Sequence, residues 1–243
     1  MNLSILLLLA AGFANTSHAA GNFSDLSDCT PTTDLNTPCT VNVENLRPTQ
    51  FSVGMIVVKQ KEVKIKAKST KKYQKYLVAN PVPVVVGNGG QFYMVDKHHM
   101  VRAVYDIGNT VVVAQVIKDL NNLSGSDFWA EMTTEGLYYD RDENDQVQPY
   151  TALPAYIQDM ADDPYRSISG AVRDAGGYQN LTSPLYLEFL WAHFYHQLDA
   201  SYGITLDNIQ SDFNGTVAKA LVIAHSSLAA QLPGYSATPV KNN

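Results

Sequence analysis

Residues 81–96 read PVPVVVGNGGQFYMVD. Two runs rich in β-branched and aromatic residues flank Gly-Asn-Gly-Gly, and glycine supplies the positive φ that a tight reversal needs. That pattern predicts a β-hairpin, whose apolar face must then be covered. The following residues provide the cover: Met100, Val101, Ala103 and Val104 fall at helical spacing, which predicts a helix over roughly 98–107 ending near Gly108. NTVVVAQVI, 109–117, then reads as another strand.

The flanks are read in the same way. TVNVENL, 40–46, alternates as a strand ending near Leu46, and RPTQ is a turn whose direction Pro48 sets. Over 52–77, VKIKAK alternates like a strand, but the length and lysine content favour one helix. Beyond Asp119 the texture becomes helical. A helix starts near Ser126, and 138–150 is an exposed hairpin or loop. Residues 153–178 read as two helices, the second opened by Pro164 and closed by Gly176-Gly177. SPLYLEFLWAHFYHQLD, 183–199, is a helix with Pro184 at its first position, and 214–232 is the last one. The expected fold class is α+β: a small mixed sheet with helices over 41–120, followed by a mainly helical segment over 121–243.

The chain opens MNLSILLLLAAGFANTSHAAGN. The apolar run is too short to span a bilayer, and small residues follow it, so 1–20 reads as a secretory signal peptide. The protein is therefore expected to be secreted or periplasmic, with no membrane partner. Residues 21–40 form an irregular leader holding both cysteines, Cys29 and Cys39, and in an oxidising compartment these should pair. The net charge is −6, which makes the whole chain no polyanion binder. Residues 59–75 run against that balance. They hold eight lysines against Glu62 alone, a net of +7, and read first as a solvated helix face.

The strand-to-helix corner carries most of the chemistry. Asp96, Lys97, His98, His99 and Arg102 crowd into seven residues. The free amides and positive dipole end of a helix starting there would form an anion site. Arg102, three and four residues from the imidazoles, could grip phosphate oxygens, and either histidine could move a proton. Asp96 could cap the helix, orient a histidine or hold a divalent ion. The alternative is a capping aspartate beside surface histidines.

DKHHMVRA resembles the box of the ParB/sulfiredoxin-like superfamily. LRPTQFSVGM (46–55), PVPVVVGNGGQFYMVDKHHMVRAV (81–104), DDPYRSISGAVRDAGGY (162–178) and YLEFLWAHF (186–194) together resemble the ParB-like nuclease family. The resemblance implies a nuclease or nucleotide phosphohydrolase, with Asp96, His98, His99 and Arg102 as catalytic positions and possible Mg²⁺ at Asp96. It also implies nucleotide or nucleic-acid phosphate as partner, touched by Arg47, Thr49, Gln50 and Lys97; Arg166 and Ser167, at a helix start, read either as a second phosphate contact or as a capping and packing motif that joins the two segments. A non-catalytic module binding a nucleotide or other anion is the alternative. Gln50 stands where serine-phosphorylating relatives carry an acid, and an amide cannot act as a base. The box also lacks the cysteine of sulfiredoxins.

Three further features read as structural. Glu188 is either paired with a buried arginine such as Arg166 or exposed. His193 and His196 read as core or surface residues, since two ligands make no zinc site. DRDEND, 140–145, fails as a calcium loop because Asp145 occupies the glycine position and Thr151 the glutamate position.

Overall fold

The computed structural model describes residues 22–242; the expected signal segment, 1–20, lies outside them. The strands are β1 (Pro38–Asn42), β2 (Leu46–Pro48), β3 (Ser52–Val53), β4 (Val82–Gly87), β5 (Gln91–Met94), β6 (Val111–Asp119) and β7 (Ala161–Asp162). The helices are α1 (Met55–Lys66), α2 (Thr70–Ala79), α3 (His98–Asp106), α4 (Gly125–Thr134), α5 (Pro164–Asp174), α6 (Leu187–His196), α7 (Leu206–Ser211) and α8 (Phe213–Ala224). No helix among the described residues is long and apolar enough to cross a membrane.

Five strands form a mixed sheet in the order β1-β6-β4-β5-β2. The pairs β1–β6 and β4–β5 are antiparallel; β4–β6 and β2–β5 are parallel. The expected α+β class therefore holds. The two outer strands are consecutive in the chain, separated only by the 3₁₀ turn Val43–Asn45. In a flat sheet they would stand about 19 Å apart at about 4.8 Å per step. The chain from Asn42 to Leu46 reaches at most about 15 Å. The sheet is therefore rolled, and its two edges approach each other through the 38–48 segment.

Period-two alternation assigns the sheet's faces. Val82, Val84, Val86, Phe92 and Met94 pack with Met100, Val101, Ala103 and Val104 of α3 in one core. Val85 and Val95 point the other way, onto Phe128 and Met132 of α4. A third cluster joins α5, α6, α7 and α8 around Ile168, Trp191, Tyr195 and Ile209. The leader is stapled as expected, Cys29 to Cys39.

Four expectations about elements need correction. The strand over 40–46 is broken at Val43, because its two halves serve opposite sheet edges. The single helix over 52–77 is two helices, α1 and α2. A straight helix would hold Ile65 and Leu77 about 18 Å apart along its axis, whereas both are buried in the same core. The first of the two helices over 153–178 is only a 3₁₀ turn, Ile157–Asp159, followed by the extended β7. β7 must be extended because it pairs with β3 in parallel. The 183–199 helix begins at Leu187 rather than Pro184, and α8 is preceded by α7, which the sequence did not suggest.

The N-terminus of α5 is built for close approach. Asp163 caps it by accepting the Arg166 amide at 3.0 Å, and Pro164 follows at the first helical position. The chain at Gly54 passes so near that an added Cβ would lie 2.5, 2.7 and 2.9 Å from the Oγ, N and Cα of Ser167. Two of those atoms are backbone and cannot rotate away. Gly54→Ala is expected to destabilise the fold by ~1–3 kcal/mol, the range for overpacking a tight contact. Urea denaturation measures it, and a change within experimental error would show that α5 can shift freely.

Candidate functional site

The corner between β5 and α3 turns on Lys97, which adopts the left-handed conformation at φ 67°. Asp96, exposed, accepts the Lys97 amide at 2.6 Å. The next two side chains then point inward. His98 Nε2 accepts the amide of Thr49 at 3.3 Å, and His99 Nε2 accepts that of Gly54 at 2.9 Å. Both imidazoles are buried. Burial and then the charge of Arg166 lower the His98 pKa to about 3, against the Met94 carbonyl, which opposes the shift. Burial, Arg166 and Lys61 hold His99 well below its usual value. Both rings are therefore neutral near pH 7, with Nε2 lone pairs already taken by backbone donors. They pin the 49–54 segment, and neither has a nitrogen open to a substrate at that position.

Arg102 turns elsewhere. Its Nε donates to Asp106 at 2.9 Å, and its Nη1 donates to the carbonyls of Ile157 at 3.3 Å and Met160 at 3.2 Å. It holds the 157–160 turn in place. Arg47 is likewise occupied: it donates to the Glu44 carbonyl at 2.8 Å and lies over the Tyr156 ring. The arginine charges that act on the imidazoles come from the third motif: Arg166 on both rings and Arg173 on His99.

Arg166 sits on α5 with its guanidinium 5.1 Å from the centre of the Phe189 ring and 3.6 Å from Glu188. The expected Glu188–Arg166 pairing thus exists, but Glu188 also meets Arg173. Burial would raise the Glu188 pKa, yet the two guanidiniums outweigh it and hold the carboxyl below its usual value. Lys61 of α1 is lowered by burial and then by the charges of Lys97 and Arg173. Four cations thus gather where α1, α3, α5 and α6 meet. Asp163 responds oppositely: burial pushes it up to about 7, against the Arg166 amide and guanidinium. Three buried polar atoms here have no hydrogen-bond partner among the described residues: Ser52 Oγ, Ser167 Oγ and Arg166 Nε.

Thr49 and Gln50 line the same corner from the strand side. Thr49 Oγ1 donates to the Met94 carbonyl at 2.8 Å and lies 2.8 Å from the Tyr186 hydroxyl, whose own environment includes the charge of Asp96. Gln50 is buried and spends its amide on the Ser52 carbonyl. Asp163 and Lys61 were absent from the sequence-based set. The signal for Asp163 was its place directly before Pro164; nothing in the spacing marked Lys61. The donors do not fit a resident divalent cation. The corner's histidine nitrogens are engaged, Asp96 is a single exposed carboxylate, and no three His, Cys, Asp or Glu side chains converge among the described residues.

The family model described as "Putative ParB-like nuclease" matches residues 39–197. Among solved structures, protein Atu1540 from Agrobacterium tumefaciens is similar, with 31% identity and a TM-score of 0.74 over 82% of this chain and 96% of that one. No curated protein matches.

The two imidazoles leave a pH signature. Unfolded, each binds a proton near pH 6.5; folded, neither does until far lower. The stability they permit is present above about pH 6.5 and is lost as pH falls toward 4. Asp163 works in reverse, since only the folded state keeps its proton between about 4 and 7, and it favours folding at the acid end. Two histidines against one aspartate leave a net loss of about 1.4 kcal/mol per pH unit on acidification. His98→Gln keeps an acceptor but removes one titration, so the slope between pH 6 and 4.5 should flatten. Urea midpoints across that range decide it; an unchanged slope would mean that His98 is not held neutral.

Proposed function

This chain belongs to the ParB-like nuclease family, whose model spans more than half of it, and on that premise we propose that it hydrolyses a phosphate ester outside the cytoplasm. The ester is that of a nucleic acid or a nucleotide. The observation that carries the reading is the excess of cations at one place. Arg166, Arg173 and Lys61 act on Glu188, Lys97 acts on Lys61, and burial, then the like charges of Lys97 and Arg173, lowers the Lys61 ammonium. A phosphate at the mouth between Lys61 and Lys97 would supply compensating negative charge, with Arg166 acting from behind. Asp163, with its pKa near neutrality, is the group suited to protonate a leaving oxygen. Asp96, exposed beside Lys97, would orient the incoming water. Mg²⁺, where it takes part, would arrive with the substrate phosphate. The Cys29–Cys39 bond supports an oxidising compartment, hence a secreted or periplasmic place of work.

A second reading has its own observation. Because both box imidazoles are spent on backbone amides, the same corner would also suit a module that binds a nucleotide or other anion without turning it over.

Hydrolysis of bis(p-nitrophenyl) phosphate and of single-stranded oligonucleotides, with and without Mg²⁺, tests the proposal. Lys97→Gly removes an ammonium while relieving a left-handed residue, so stability should hold or rise by about 1 kcal/mol as activity drops at least tenfold. Asp163→Asn retains a capping side chain but has no proton to give, so kcat should fall on the order of 10²-fold. The wild-type rate should decline as pH rises through about 7, and that decline should vanish in the variant. Nucleotide-induced thermal stabilisation without any product would favour the binding module.

A further inference from the structure

The lysine run at 59–75 folds into a surface that the corner does not account for. Lys59 and Lys66 pair with Glu62, and Lys59 also reaches Asp106. Lys64, Lys68, Lys71, Lys72 and Lys75 have no salt-bridge partner among the described residues, and all but Lys68 are exposed. The rest of the chain is acidic enough to bring the net charge to −6. A flexible polyanion is therefore drawn to this one face and repelled elsewhere.

The break between α1 and α2 opens a cleft under that surface. Its volume is about 450 Å³, within the range of small-molecule sites. Ile65, Leu77 and Ile107 give it apolar walls, Tyr73 supplies an aromatic ring, and Lys66 and Lys68 supply charge. The Tyr73 hydroxyl is buried without a hydrogen-bond partner among the described residues. Burial, then the neighbouring Tyr76, pushes its pKa up to about 12, so at neutral pH it is an uncharged donor. Gln74 and Asn109 also line the cleft, and a carboxamide both donates and accepts. An acyl chain has no use for those amides, and a bare anion has none for the ring. A flat heterocycle joined to a phosphate uses every part: its face stacks, its edge meets the carboxamides and its phosphate meets the lysines.

Cleft and corner lie at opposite ends of the same two helices. α1 and α3 start at the corner, where the Gly54 amide donates to His99. Ile65 and Ile107, at the far ends of those helices, line the cleft. Lys61 and Lys64 are three apart and share a face of α1, and the charge of Lys64 is felt at Lys61. Lys68 comes four residues later. At the helical rise, Lys61 and Lys68 are about 10 Å apart along the axis. Cationic side chains thus lead from the corner to the cleft.

We propose that the cleft between α1, α2 and the start of β6 holds one base of a single-stranded nucleic acid, whose backbone runs past Lys68 and Lys64 to the corner. The proposal narrows the phosphate-ester reading from nucleotide to polymer, and rests on that reading for the scissile phosphate at the corner.

Calorimetric titration with phosphorothioate dA8, which resists hydrolysis, tests the site, and turnover of bis(p-nitrophenyl) phosphate tests the corner separately. Tyr73→Leu keeps the wall apolar but removes the ring, and should weaken dA8 binding about tenfold with turnover of the small ester unchanged. Lys64→Gln with Lys68→Gln leaves the core intact, so it decides the matter even where the leucine variant unfolds. The dependence of log K on log salt should flatten by about 1.4 in that double variant, since each lost contact to a single strand is worth about 0.7. If the small ester is hydrolysed but dA8 binding is absent or indifferent to both variants, the proposal falls and the phosphate-ester reading stands. If dA8 binds with both dependences and no ester is hydrolysed, the strand site stands and the hydrolytic reading falls. Phosphatidylglycerol vesicles that bind through Tyr73 and the lysines, where dA8 does not, would assign the cleft to lipid and overturn the proposal.

Discussion

Two backbone amides on a short irregular segment decide how this protein is assembled. Thr49 and Gly54 bracket residues between β2 and α1 that are buried yet lie outside the five-stranded sheet. Buried amides must find acceptors, and theirs are the Nε2 atoms of His98 and His99. An imidazole accepts only when neutral at that nitrogen, so the burial that holds the rings uncharged is what lets them do this work. With its amides satisfied, the segment offers its carbonyls outward. Thr49 receives the amide of Tyr139, Phe51 that of Ala161 and Val53 that of Asp163. The helical half of the chain is thus tied to the sheet half through six residues that two histidines hold.

α5 then delivers the charge. Its buried residues include Ser167, Ser169 and Gly170, small enough for α1 and α6 to come close, and its two arginines, about two turns apart, both reach Glu188. A single half-buried carboxylate satisfies part of each guanidinium, and Arg166 Nε is left without a partner among the described residues. Buried cations without full compensation are costly to keep. The phosphate ester proposed above would relieve that cost by bringing in an anion.

Much of the fold was legible because it is local. The Gly-Asn-Gly-Gly hairpin, the helix from His98 and the Asp-Pro start at 163–164 arise from conformational preferences within a few residues. The hidden part is tertiary. VKIKAKSTKKYQKYL suits one long helix, and only the shared burial of Ile65 and Leu77 requires the break. LPAYIQDM looks helical, yet Arg102 binds its carbonyls at Ile157 and Met160, and pairing with β3 holds Ala161 and Asp162 extended. The motif that marked His98, His99 and Arg102 as a unit located the corner. It carried no information about which way each side chain turns, and Arg102 faces away from the rings beside it in sequence.

The same limit explains why one residue type was read in opposite senses to its surroundings. Adjacent histidines in a motif suggest chemistry, and lone histidines on an apolar helix suggest packing. The deciding quantity is what meets each ring nitrogen. At His98 and His99 burial removes the cationic form, and a backbone donor occupies the basic nitrogen. At His193 the donor nitrogen is bound to a carboxylate 48 residues away, while its ring remains partly open to water. Asp145 reaches that carboxylate position by taking the left-handed backbone that a glycine would have held in a calcium loop. The residue that spoils DRDEND as a cation loop is thereby the one that fastens it to α6, a substitution of role that only the folded chain makes visible.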